Sequence, residues 1–503
     1  MESPHGLTVY DIFSRNSRLY GNLPAVKLNE TTISHADLFS GCRKLAMGMS
    51  KLGLEPGDRL AVLGNNHPAF FHLFGAAAAL NITLVLINRR LSYDEVRFIL
   101  EDSRSKVLVA DKDQMETAEQ LKNECASIES FYILDSAGNA PDFSTLYHTD
   151  MLDNPFGSHG SDPYIVIHTA AVQGKPRGAV LSHENVVLVN EQIKLVLRLG
   201  HSSVYLNVLP LFHIMGINLA LATLQACGTN IIQEKFDPAE AVDLLQKHHV
   251  HLIGSFPPIL SGILEAGEKS GQDLSALKCV VGLESPEVVE KLEKQTGARF
   301  WSIYGQTETS GLITFAEYNE KKGSAGRPCP LANLKIVDEF DQVLPPDIQG
   351  EIVLKGPLVF RGYLNAEALN EYTFRDGWHH TGDIGMIDQE GYLFFKGRKA
   401  EKELIKSGGE NVFPVEVEKV IASHEAVKEV CVIGIPDPKF GEGIKAICAL
   451  HGGKTLTEKE LIDFTATKIA SYKKPRYVQF MEELPKTPDG AVDREKLKEE
   501  GQP

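Results

Sequence analysis

At 503 residues the chain is longer than one hydrophobic core normally organises, so two or more domains are expected. A hydrophobic share of 43% with 23% charged residues describes a soluble globular protein. The formal charge of −16 argues against nucleic acid as the main partner, while leaving room for a local basic groove that takes an anionic ligand. Seven cysteines, scattered without C-x-x-C pairs, read as reduced thiols in a cytoplasmic protein and exclude a zinc site of that kind. Asp11, Arg15 and Arg18 stand where a signal peptide needs an apolar run. The longest apolar stretch, residues 70–80, is too short for a transmembrane segment. A homodimer is kept open as a partner expectation.

Taken in order, the chain first alternates strand and helix. An amphipathic helix is expected over 36–52, a buried strand over 59–63, an alanine-rich helix, a strand over 82–87, a helix over 92–102 with Ser92 as N-cap, and a strand over 106–110. Such alternation implies βαβ units and a mostly parallel sheet. The stretch from Tyr164 to His183 is read as an apolar strand, a loop of small residues and then a helix start. Short strands follow at 204–209, 230–233, 251–254, 278–281 and 300–304. From about 325 to 397 the texture becomes antiparallel, with strands at 333–337, 351–355, 384–387 and 392–396. The last hundred residues look self-contained: helix 415–423, strands 427–433 and 445–450, helix 456–468, strand 477–480. The fold class is therefore α/β. A large N-terminal domain, 1–398, carries mostly parallel sheets and a small antiparallel β subdomain. A small α+β C-terminal domain, 399–503, follows a charged hinge at about 398–403.

The small-residue loop, Thr169 to Gly178, can offer backbone N–H groups to a phosphate, with Arg177 adding charge. On its own this is equally an ordinary connection. Downstream come YGQTE at 304–308, TGD at 381–383 and Gly397-Arg398, in that order. Together they resemble the adenylate-forming enzymes, specifically the AMP-forming acyl-CoA synthetase branch. The likeness extends to Asn88 to Leu91 with Glu95, to LPLFHIMG at 209–216, Glu284-Ser285-Pro286, Gly362-Tyr363 and SGGENVFP at 407–414, and to Tyr472 to Pro475.

That resemblance implies ATP, Mg²⁺ and coenzyme A as cofactors, a carboxylic acid as substrate and an acyl-adenylate as intermediate. Thr169, Gly174 and Arg177 would hold phosphate. Glu284, Ser285, Pro286 and Tyr304 would frame adenine within a segment that continues through Gly305 and Gln306. Thr307 would offer a hydroxyl to phosphate, Glu308 a hard oxygen to Mg²⁺, and Asp383 and Arg398 a hold on ribose. His213 would border the acyl pocket. Ser407, Gly408, Gly409 and Glu410 would line the path of the pantetheine thiol, and the C-terminal domain would move between the half-reactions. The catalytic set is then Thr307, Glu308, His213 and Arg398.

Three departures stand out. The family's phosphate loop T-S-G-T-T-G-x-P-K-G is here T-A-A-V-Q-G-K-P-R-G; each lost hydroxyl removes about 1.5–3 kcal/mol of hydrogen bonding to phosphate unless a backbone group substitutes. Where the family has its adenylation lysine this chain has Ala491, with Lys486 and Lys402 the nearest candidates for a substitute cation. Ala400 and Glu401 look like an insertion in the hinge, leaving Lys402 and Glu403 in the place of the hinge pair. Two alternatives stay open: a nucleotide- and acyl-CoA-binding pseudoenzyme, and an amino-acid-adenylating enzyme, against which stands the absence of an Asp in 213–216. The apolar residues Phe212, Ile214, Met215, Ile217, Leu283 and Leu312 point to an aliphatic, alicyclic or aromatic monocarboxylate.

Overall fold

Runs of Val, Ile and Leu too short for helices, each followed by an amphipathic stretch, build two sheets that are parallel at their centres. The computed structural model describes residues 7–136, 140–169, 176–398, 404–486 and 492–500. In the nine-stranded sheet, Arg299–Tyr304, Cys279–Gly282, Leu252–Ser255, Val204–Asn207, Thr229–Ile232 and Pro24–Leu28 run parallel, with antiparallel strands at both edges. In the seven-stranded sheet, Pro163–Thr169, Thr83–Leu86, Arg59–Leu63, Val107–Asp111 and Ser130–Leu134 are parallel. Helix Pro68–Leu80 has eleven buried residues, most of them in the main core, and Asn81 ends it in the left-handed conformation that asparagine tolerates.

The expected elements hold to within a few residues, with one correction. Beyond the small-residue loop, the chain does not start a helix but returns as the antiparallel strand Arg177–Ser182, paired with Pro163–Thr169 and with Gly362–Tyr363. The helix begins later, at His183, where Ser182 caps it by accepting from the Asn185 N–H. Gly174 lies outside the described residues, as do residues 399–403, including Ala400, Glu401, Lys402 and Glu403, and Ala491.

The antiparallel texture after 325 is a four-stranded sheet, ordered Asn333–Val337, Gly350–Lys355, His379–Ile387, Leu393–Arg398. The C-terminal sheet joins Glu410–Val412, Ile405–Ser407, Gly441–Leu450 and Val427–Asp437, and Tyr477–Met481 adds in parallel. It is covered on both faces by hydrophobic clusters of its own, one around Val417, Ile444 and Leu461, the other around Ile433, Ile447 and Leu497. Against the rest of the chain it sets charged side chains. Lys473, 2% exposed, is clasped by Glu95 of helix Tyr93–Ser103 and by Glu416 at 2.6 Å.

Candidate active site

Strand ends and the turns beyond them deliver the site. The Arg299–Tyr304 strand leads into a short turn in which the Gln306 N–H is closed by Thr309 Oγ1. This turn presents Gly305, Gln306, Thr307 and Glu308 to a cavity of ≈ 1030 Å³. The His379–Ile387 strand brings Asp383 beside them, and its neighbour Leu393–Arg398 brings Arg398.

Asp383 is 1% exposed and held from three sides. Tyr304 OH donates to Oδ2 at 2.7 Å, Gln306 Nε2 donates to the same oxygen at 2.6 Å, and Arg398 Nε lies 3.0 Å from Oδ1. The arginine approaches Oδ1 without hydrogen-bond alignment, so this buried oxygen remains an unfilled acceptor. A buried carboxylate oxygen in that condition suits a hydroxyl donor from a ligand. Burial, and then the charge of Asp383, push the Tyr304 phenol well above its ordinary range, so it stays a donor.

Glu308 is fixed through one oxygen. Thr169 Oγ1 donates to Oε1 at 3.1 Å and Tyr363 OH donates to it at 2.8 Å, leaving Oε2 with no partner among the described residues. The Arg177 guanidinium stands 5.8 Å from the centre of the Tyr363 ring. Mg²⁺ is commonly held by one or two carboxylate oxygens together with substrate phosphates. A single oriented carboxylate with one free oxygen, beside Thr307 and Arg177 on the same cavity wall, fits that ion.

Across the cavity, Glu410 is almost buried and multiply held. Asn88 Nδ2 donates to it at 2.9 Å, Arg90 Nη1 at 2.8 Å, and His213 Nε2 lies 3.3 Å away. Burial alone would raise this carboxyl; the charges of His213 and Arg90 outweigh it and lower its pKa. Gly408 and Gly409, both with positive φ, bring the turn of the hairpin against Phe440 and Phe256. A Cβ at Gly408 would come within 2.9 Å of the Phe440 ring, so glycine is what allows the close approach. Apolar wall is supplied by Val208, Leu209, Phe212, Ile214, Met215 and Phe236, while Arg89, Lys474 and Arg476 also line the cavity as cations.

Of the residues expected from sequence, Thr169, Arg177, His213, Gly305 to Glu308, Asp383, Arg398, Gly408, Gly409 and Glu410 line this one cavity. Glu284, Ser285, Pro286, Tyr304 and Ser407 are not among its described lining residues. Glu284 turns its carboxyl to Ser255 Oγ at 2.6 Å, Ser285 caps helix Pro286–Thr296, and Tyr304 acts through Asp383. Lys486, one of the two candidate substitute cations, pairs with Glu429 at 2.6 Å and does not line the cavity, and Lys402 lies outside the described residues. Lys406, which no motif singles out, also lines the cavity: strand Ile405–Ser407 alternates buried, exposed, buried and so turns it to the opposite face from the core.

A family profile described as AMP-binding enzyme matches residues 13–364, and its C-terminal domain profile matches 416–491. The chain belongs to the AMP-binding enzymes. Within this adenylate-forming family its curated relatives include CoA ligases. A feruloyl-CoA synthase of Amycolatopsis sp is 31% identical over 95% of this chain and 96% of its own. A long-chain-fatty-acid–CoA ligase of Bacillus subtilis (strain 168) is 30% identical over 99% of this chain and 96% of its own. Among solved structures, the o-succinylbenzoate CoA synthetase of Bacillus subtilis, a double mutant bound to a product analogue, superposes with a TM-score of 0.86 at 27% identity. That match covers 98% of each chain.

Proposed function

We propose that this AMP-binding enzyme joins a carboxylic acid to coenzyme A at the expense of ATP, releasing AMP and pyrophosphate through an acyl-adenylate. The observation that carries this reading is Asp383 Oδ1, a buried oxygen beside Arg398 with no aligned hydrogen-bond donor and so open to a ribose hydroxyl, in the same cavity as Glu308 and an apolar wall. In the first step a carboxylate oxygen attacks the α-phosphorus and the bond to the β-phosphate oxygen breaks, pyrophosphate taking the electron pair. Mg²⁺, when bound, neutralises phosphate charge; Glu308 Oε2, with Thr307 close by, is the protein's side of its site. In the second step the CoA sulfur attacks the acyl carbonyl carbon, gives its proton to water, and AMP departs with the C–O electrons. His213, Gly408, Gly409 and Glu410 border the path of that thiol. The lining cations Arg89, Lys474 and Arg476 suit the phosphates of CoA.

Residues 1–398 act as the adenylation domain and 399–503 as a mobile C-terminal domain turning about 398–403, supported by the separate hydrophobic clusters of the C-terminal sheet. The apolar wall favours an aliphatic, alicyclic or aromatic monocarboxylate. The reading also places the enzyme in the cytoplasm, in keeping with seven free thiols, and allows a homodimer. Among the described residues no helix is long and apolar enough to cross a membrane. A panel of such acids, assayed with ATP and CoA for AMP and acyl-CoA, tests the proposal. At least one acid yields both products in equal amount; AMP binding without turnover of any acid establishes the pseudoenzyme instead.

A further inference from the structure

Asp383 reaches the cavity from a place where its strand departs from regular pairing. Strand Gly350–Lys355 lies antiparallel to His379–Ile387, with Glu351 opposite Ile384 and Val353 opposite His380. Thr381, Gly382 and Asp383 together therefore stand against the single residue Ile352. A bulge of this kind takes backbone groups out of the ladder and re-aims the side chains it carries. Gly382 has φ 69°, a left-handed conformation that suits glycine. Side chains, rather than the ladder, hold the turn. Glu351 Oε1 accepts from the Gly382 N–H at 2.9 Å. Thr381 Oγ1 accepts from the Asp383 N–H at 3.1 Å and donates to the Ile352 carbonyl at 2.6 Å. Gln306 Nε2 donates to the Thr381 carbonyl at 3.2 Å.

Glu351 is the charged member of this set. It is 4% exposed and is not among the described residues that line the cavity. Its second oxygen is pinned as firmly as its first: Arg375 Nη2 donates to Oε2 at 3.2 Å, and His380 Nδ1 lies 3.0 Å from it. Arg375 Nε donates to Asp341 Oδ2 at 3.1 Å, so one guanidinium bridges two carboxylates and is the cation of the cluster. A buried carboxylate is costly unless it is paired, and pairing on one oxygen leaves the other fixed in direction, here toward Gly382. Tyr304, Gln306 and Arg398 hold the side chain of Asp383; Glu351 holds the backbone from which that side chain springs. Resting on the reading of Asp383 as the ribose acceptor, we propose that Glu351 is a positioning residue for nucleotide binding. By holding the Gly382 N–H it fixes the bulge that aims Asp383 Oδ1 into the cavity, and Arg375 and His380 keep its carboxylate turned that way.

The test compares two nucleotides by calorimetric titration: AMP, and 2′,3′-dideoxyadenosine monophosphate, which lacks the hydroxyls that Asp383 accepts. The unsubstituted protein binds AMP the more tightly. Glu351→Ala is expected to shrink that preference on the order of tenfold, by weakening AMP while leaving the dideoxy nucleotide within about twofold. Glu351→Asp keeps the charge for Arg375 but falls one methylene short of Gly382, and it shrinks the preference as well. Glu351→Gln keeps both the reach and an acceptor, and so retains most of the preference while its urea-unfolding midpoint drops. In an Asp383→Ala background Glu351→Ala changes AMP affinity less than twofold, because the two residues act through one contact. Full preference for AMP in the aspartate variant, or equal weakening of both nucleotides by Glu351→Ala, overturns the inference and leaves the ribose reading standing. Equal affinity for both nucleotides in the unsubstituted protein overturns the ribose reading, and this inference with it.

Discussion

Asp383 concentrates the site's polar contacts in one carboxylate, and its loss has a defined signature. Asp383→Ala removes the acceptor for ribose and leaves Tyr304 OH, Gln306 Nε2 and the Arg398 guanidinium without their partner. ATP and AMP affinities are expected to fall together by about 1.5–3 kcal/mol, the worth of a charged hydrogen bond, as read by calorimetric titration; an unchanged AMP affinity removes Asp383 from the site. Glu308→Gln separates metal from nucleotide. It keeps an acceptor for Thr169 and Tyr363 but loses the negative oxygen, so the Mg²⁺ concentration for half-maximal turnover rises while metal-free AMP binding stays within about twofold. Glu284 offers a pH test away from the cavity. Burial, against the hydrogen bond from Ser255, raises its carboxyl from 4.5 to about 7. The folded chain then keeps a proton that the unfolded chain has shed between those values, so this group's contribution to stability falls as pH rises through that window, by at most about 3 kcal/mol. Glu284→Gln is expected to abolish that part of the fall in urea-unfolding midpoints between pH 4.5 and 7.

At the scale of elements, the sequence was most readable where period and caps agreed. Ser92 was legible as an N-cap because Glu95 follows at the third helical position, and both halves of that capping box form. Glu95 uses Oε2 for the cap and Oε1 for Lys473, so Ser92→Ala is expected to cost about 1 kcal/mol in unfolding free energy and to loosen the Lys473 contact as well. Faster hydrogen exchange in 405–412 would register the second effect. The return strand Arg177–Ser182 was misread because Gly178 and Ala179 resemble the small residues of a helix-starting loop. What decides it is tertiary: Val180 and Ala179 pair with Gly362 and Tyr363, nearly two hundred residues away. The convergence of Asp383, Glu308 and Arg398 was legible only through resemblance to a known order of motifs. No local pattern tells that Thr169 and Tyr363 meet on one oxygen of Glu308.

Over the whole molecule, the two half-reactions are expected to run unequally. With Ala491 and a shortened set of phosphate-loop hydroxyls, acyl-CoA forms slowly from acid and ATP and faster from supplied acyl-adenylate. Ala491→Lys raises the first rate; no gain contradicts the assignment of position 491. The seam around Lys473 carries a further consequence. Lifting the C-terminal sheet away would return one ammonium and two carboxylates to water, and the hydration of such ions carries a strongly negative entropy. Warming therefore makes release less rewarding, and cooling makes it more so. The closed seam behaves as a cold-labile clasp: exchange protection of 405–412, measured at constant pH, should weaken as the protein is chilled while the parallel strands of the larger sheets stay protected.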